Sequence, residues 1–201
     1  MAIKVANNQS LTAITALPSA VSGGAMNLLE TQTASSSATI SFTSNIDDTY
    51  DEYVFKFYNM HPATDRVFLQ FQVDTGTNTN YNQAITSSYF HSFHDEADSY
   101  TGLAYVTSKD QAQGTAFQTI SYNTSNDNDA CNSGELHLFS PSSSVFVKHF
   151  YSRFAATDDV GYIEESYCAG YVNTTTALTR VQFKFSGETI DSGTIKLYGI
   201  S

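Results

Sequence analysis

The stretch "EYVFKFYNM" at residues 52–60 alternates with a period of two: Tyr53, Phe55 and Phe57 fall on one face, Lys56 and Tyr58 on the other. "RVFLQFQVD" (66–74) repeats it, with Val67, Leu69, Phe71 and Val73 inward and Gln70 and Gln72 outward. Successive side chains of a strand point to opposite faces, so this alternation describes strands with one buried face. "HPATD" between them carries a turn proline, and the pair reads as a hairpin.

The same period returns in "ATISF" (38–42), "SSYFHSF" (87–93), "TAFQTISY" (115–122) and "GELHLF" (134–139). It continues in "SVFVKHFYSRF" (144–154), reached through "SPSSS" as a second hairpin, then in "SYCAGYVN" (166–173), "TRVQFKFS" (179–186) and "GTIKLYGI" (193–200). Only "SYTGLAYVTSKDQAQ" (99–113) has room for a short helix. Short strands between polar turns, with no β-α-β alternation, predict an all-β fold. The expected architecture is an antiparallel two-sheet β-sandwich or jelly roll of about ten strands.

Residues 1–35 differ: small and polar residues, Gly23-Gly24 and "TASSS" surround scattered aliphatics that keep no period. They read as an extended N-terminal arm, with the sandwich domain at 36–201. Alone, such an arm buries too little to offset its ordering entropy, so another surface must hold it.

The formal net charge of −11 opposes binding to phosphate backbones and to anionic lipid, so neither nucleic acid nor membrane is an expected partner. Cys131 and Cys168 form no CxxC pair and read as unpaired thiols. The opening residues have one Lys, and polar residues interrupt any apolar core; this is not a signal peptide. No apolar run approaches the roughly 20 residues of a membrane span. The expectation is synthesis in a cytoplasm, with the sequons at Asn8, Asn123 and Asn173 as chance matches.

The most chemical stretch is "FHSFHDEADSY" (90–100). His91 and His94 are three apart, so a strand sends them to opposite faces and a shared zinc site is disfavoured. His94, Asp95, Glu96 and Asp98 are the candidate metal ligands, for Ca²⁺ or another cation, where the strand gives way to a loop. The D-x-D-x-D-G spacing is absent, and a solvated acidic strand end is the plainer reading. "NTSNDNDA" (123–130) reads likewise. Glu164 and Glu165 are adjacent; on a strand they cannot flank one glycosidic bond and read as surface charge. His137 and His149 read as structural histidines. Tyr58, Tyr89, Tyr100, Tyr105 and Tyr122 offer rings to a sugar or a subunit interface, although aromatics are also good strand formers. No G-x-S-x-G, H-E-x-x-H, P-loop or G-x-G-x-x-G signature is present, so no catalytic residue is named and no enzyme is expected.

Four stretches carry a family likeness: "LLETQTASSSATISFTSNIDDTYDEYVFKFYNMHPATD" (28–65), "YFHSFHDEADSYTGLAY" (89–105), "GELHLFSPSSSVFVKHFYSRF" (134–154) and "AGYVNTTTALTRVQFKFSGETIDSGTIKLYGI" (169–200). They resemble structural proteins of marine tailed bacteriophages, cyanophages among them, described as virion, tail-fibre or capsid-associated proteins. The resemblance runs from about residue 28 to the end and implies a β-structured virion component, without any chemistry for "HDEAD". A capsid decoration, or cement, protein fits it, tied to the major capsid protein or other virion proteins through the arm. Ile3, Val5, Leu11, Ile14, Leu17, Val21, Leu28 and Leu29 are the expected anchors. A homotrimer is the expected symmetry, and no cofactor is expected beyond that candidate Ca²⁺. The alternative is a tail-fibre or receptor-binding module that contacts a host glycan.

Overall fold

The computed structural model describes residues 25–201. In chain order the strands are β1 (Met26–Ser37), β2 (Ile40–Phe42), β3 (Glu52–Pro62), β4 (Val67–Thr75), β5 (Ile85–Asp95), β6 (Thr101–Tyr105), β7 (Ala112–Gly114) and β8 (Gln118–Thr124). They continue with β9 (Asn132–Phe139), β10 (Lys148–Thr157), β11 (Tyr162–Val172), β12 (Leu178–Phe185) and β13 (Ile190–Ile200). The only helical turn among the described residues is a 3-10 turn at Thr107–Lys109, inside the stretch expected to hold a short helix. No helix there is long and apolar enough to cross a membrane.

All pairings are antiparallel, in two sheets. The large sheet runs β1-β13-β3-β9-β10-β11-β5-β6, with β7 beside β5; the small one runs β2-β12-β4-β8. Set aside β5, β6, β7, β10 and β11, and number the rest in chain order. They then run 1-8-3-6 in one sheet and 2-7-4-5 in the other, the double Greek key of a jelly roll. The five additional strands enter as two insertions, one between β4 and β8 and one between β9 and β12. Both extend the large sheet past β9.

Aromatic side chains fill the space between the sheets. Phe183 on β12 lies 5.1 Å from Phe55 and 4.9 Å from Phe57 across the sandwich, both nearly edge-on. Phe71 on β4 meets Phe150 on β10 in the same way at 4.9 Å. Edge-to-face contact suits the quadrupoles of these rings and adds about 1 kcal/mol per pair to their area burial.

The hairpin expected from residues 52–74 does not form. β3 lies in the large sheet and β4 in the small one, and the chain crosses between sheets at Ala63–Arg66. Alternation says which face of a strand is buried. Two strands side by side and two strands face to face bury the same faces. The second expected hairpin does form, as β9 and β10. Gln72 points away from the core, as expected, yet is sealed: its amide donates to Gln83 O, Thr115 O and Ala116 O, so the connections around β7 lie over that part of the small sheet.

Residues 26–35, placed in the arm from the sequence, belong to β1. They pair with β13 from Met26↔Ile200 to Ser35↔Ser192. A register shift between Leu28 and Glu30 turns Leu29 inward against the core. Leu29 is therefore a core-packing residue of its own subunit and not a free anchor. Leu28 remains exposed on β1. Among the described residues β1 is an edge strand, paired with β13 alone. Ile3, Val5, Leu11, Ile14, Leu17 and Val21 lie outside the described residues.

Candidate ligand-binding site

The large sheet is wider than the small one. β8, the edge of the small sheet, packs over β10 and β11, so β5 and β6 reach beyond it. Core-facing side chains near that border have only the rim of the small sheet above them. On β5 these are Tyr89, His91, Phe93 and Asp95; on β11 they are Tyr162, Glu164 and Ser166.

The border begins as ordinary core. The buried Tyr89 hydroxyl donates to Ser166 Oγ at 2.6 Å, and Ser166 Oγ also accepts the Tyr122 N–H at 3.0 Å. Burial pushes the Tyr89 hydroxyl far above its usual pKa. One step outward the inner face becomes charged. His91 stands opposite Ser166 and Glu164 opposite Phe93, so the two are diagonal neighbours on one face, and His91 Nδ1 bonds Glu164 Oε2. Both are buried, with 7% and 4% of their surface exposed. The Tyr122 ring lies 4.5 Å from the imidazole.

This pair forms the floor of a cavity of about 330 Å³. Phe93, Tyr100 and Tyr162 wall it: Phe93 stacks on Tyr100 at 5.3 Å, and Tyr162 meets the two at 6.2 and 6.1 Å. Gly102 makes room for Phe93, since a Cβ there would come within 2.6 Å of Phe93 Cζ. The far rim is the β10–β11 loop. Buried Asp158 shapes it by accepting the N–H groups of Val160 and Tyr162 with Oδ1 at 2.9 and 2.8 Å. Arg66, from the crossover between β3 and β4, closes one side through Nε to Asp159 Oδ2 at 2.5 Å.

The residues proposed as metal ligands are not gathered round one point. Asp95 accepts the N–H groups of Ser99 and Tyr100, each at 2.8 Å, and the Ser99 hydroxyl. Those bonds, led by the Ser99 hydroxyl, hold its carboxyl below the usual range. His94 points to the opposite face and bonds Asp98 at 3.1 Å, while Glu96 is exposed. Among the described residues no group of three or more His, Cys, Asp or Glu side chains could hold a metal ion. Asp95 is a turn-closing residue, and the Tyr100 that it fixes by the backbone is a wall of the cavity.

Other sequence readings divide. Glu164, read as surface charge, is buried, because in β11 it shares the inward phase of Ser166 and Cys168. Glu165 is the outward one, bonded to Arg153 Nε at 2.6 Å. Tyr89 is core rather than binding surface; Tyr58, Tyr100 and Tyr105 are exposed, and Tyr122 is half-buried. His137 is structural, bonded to Glu52 at 2.5 Å and stacked on Tyr151 at 4.4 Å, whereas His149 is exposed on the outer face. Cys131 and Cys168 are both free thiols, and burial raises the pKa of each.

A second depression, about 370 Å³, lies on the outer face of the large sheet over Ser133, Gly134 and Ala155. Small residues make it, and Tyr58, Lys56, Glu135, Arg153 and Glu165 surround it. Comparison of the chain with protein-family models, with curated proteins and with solved structures gives no match.

Proposed function

We propose that the chain is a structural protein of a phage virion, a capsid decoration protein that attaches to the shell through its N-terminal segment. One observation carries this reading. Residue 25 leads into β1, a twelve-residue strand at the edge of the large sheet with β13 as its one neighbour among the described residues, at the corner where β13 ends. A segment that enters at the edge of a sheet is well placed to extend onto a neighbouring subunit, where strand addition supplies backbone hydrogen bonds. The sequence resemblance to phage structural proteins supports the same reading. The jelly roll agrees with it as analogy, since that architecture serves capsid and lectin domains alike. The function proposed is adhesion without turnover, by a protein made in the host cytoplasm and carried in the virion, with a trimer as the working assembly.

Imaging of the intact virion at side-chain resolution tests it. Density for this chain at regular lattice positions on the shell is the expected result, and density confined to the tail overturns decoration. A chain lacking residues 1–24 should fold, because β1 is retained, and should fail to bind the particle. Normal binding by that truncation removes the role given to the segment.

The outer-face depression favours a second reading, a tail-borne receptor-binding module. An exposed tyrosine beside two cations and two carboxylates is a surface suited to a glycan. Specific, saturable binding on a glycan array, lost on Tyr58→Ala, would select it.

A further inference from the structure

We propose that the cavity bordered by β5, β11 and the β10–β11 loop is a binding site for a primary ammonium group. The inference rests on what lies unpaired at its floor. His91 Nδ1 and Glu164 Oε2 engage each other, but His91 Nε2 and Glu164 Oε1 bond to nothing among the described residues, and neither atom is sealed from solvent. Both side chains are more than nine-tenths buried and both line the cavity. A buried ionisable pair holds its place at a desolvation cost, which is offset when its remaining lone pairs find partners.

The missing partner is a donor. Glu164 Oε1 is an acceptor, and in the tautomer that directs the Nδ1 proton at Glu164, His91 Nε2 is a second acceptor beside it. An –NH₃⁺ group has three donors and no acceptor, which complements two acceptors with no free donor. Charge points the same way. Asp158, Asp159 and Glu164 face one cation, Arg66, across the cavity. Phe93, Tyr100 and Tyr162 add ring quadrupoles that attract cations. The volume matches the lower end of small-molecule sites, about 300 Å³. The geometry of the fold explains why the site exists: the two insertions carry the large sheet past the rim of the small one and leave its inner face open there. An amino sugar and a lysine side chain both present this group. The inference is independent of where the protein sits in a particle.

The test is titration of the full 201-residue chain with n-butylammonium, followed by ¹H–¹⁵N NMR. Saturable shifts at residues 91–93, 100–102 and 158–164 are expected. Glucosamine and Nα-acetyl-lysine amide separate the two sources; glucose and choline are the controls. Glu164→Gln keeps a hydrogen-bonding partner for His91 and removes the charge, and should weaken butylammonium by about tenfold or more. Arg66→Ala frees Asp159 and should tighten it. Because that change runs opposite to damage, loss of folding cannot imitate it. Absence of shifts at the cavity overturns the proposal. So does glucose or choline binding as tightly as butylammonium, or Arg66→Ala weakening the complex in a protein whose Tm is unchanged.

Discussion

Asp95 shows how one carboxylate sets a loop. It accepts two backbone N–H groups and a hydroxyl, so its folded-state pKa is depressed. Its contribution is fully present above the unfolded value of about 3.9 and is lost as pH falls through the lower folded value. The protection factors of the Ser99 and Tyr100 N–H groups, that is, exchange corrected for its intrinsic slowing with pH, should therefore fall below about pH 4. Asp95→Ala should show the lowered protection already at pH 7, read by NMR. Gly102→Val is the matching test of the aromatic wall: the added carbons displace Phe93, and the near-ultraviolet circular dichroism of the Phe93–Tyr100 stack should fall while the Tm changes little. Part of this was legible in the sequence. The alternation of "SSYFHSF" separates His91 from His94, and both take the faces it assigns. The His91–Glu164 pair was not legible, because 73 residues separate its members and only the β5–β11 register joins them.

At the scale of elements, periodicity located strands and their buried faces, since burial of every second residue is a local property. It did not identify neighbours, which is why β3 and β4 read as a hairpin and face each other instead. β1 escaped notice for a related reason. "MNLLETQTASSS" is an edge strand with little to bury, and its burial pattern is mostly exposed or intermediate. Its order comes from the ladder with β13. Truncation after residue 24 should leave the Tm nearly unchanged, whereas truncation through Ser37 strips the edge of β13 and should give an aggregating protein on size-exclusion chromatography. In the core, Phe183 touches rings from three other strands, and Phe183→Ala should cost about 3–5 kcal/mol in denaturant unfolding. Lys148 lies in the stretch read as a strand, with no face assigned to it. It shares the inward phase of Phe150, Ser152 and Phe154, is fully buried, and ties two loops by donating from Nζ to Ser143 O at 2.6 Å and Thr174 O at 3.0 Å. Burial lowers its pKa. Lys148→Ala removes both ties and the packed stem, and should lower the Tm clearly.

For the whole molecule, composition and turn spacing were enough for an all-β sandwich, because they reflect how many strands the chain can bury. The jelly-roll path depends on long-range order, and the insertions that widen one sheet are visible only in three dimensions. Those insertions matter for assembly. They carry Phe90, Leu103 and Tyr105 as exposed side chains on the outer face near the β6 edge, with Phe90 stacked on Tyr167 at 4.9 Å. If the proposed trimer forms through this edge, Leu103→Asp should give monomer in native mass spectrometry, with the fold intact because Leu103 is 72% exposed.

The meeting of Met26 with Ile200 has a mechanical side. A pull on residue 25 in line with β1 strains the whole ladder to β13 in shear, and its hydrogen bonds resist together. The same pull turned sideways opens them one at a time from Met26, like a zipper. A tether at this corner is thus strong in one direction and weak in another, and single-molecule extension from residue 25 should give rupture forces that depend on where the opposing handle is attached.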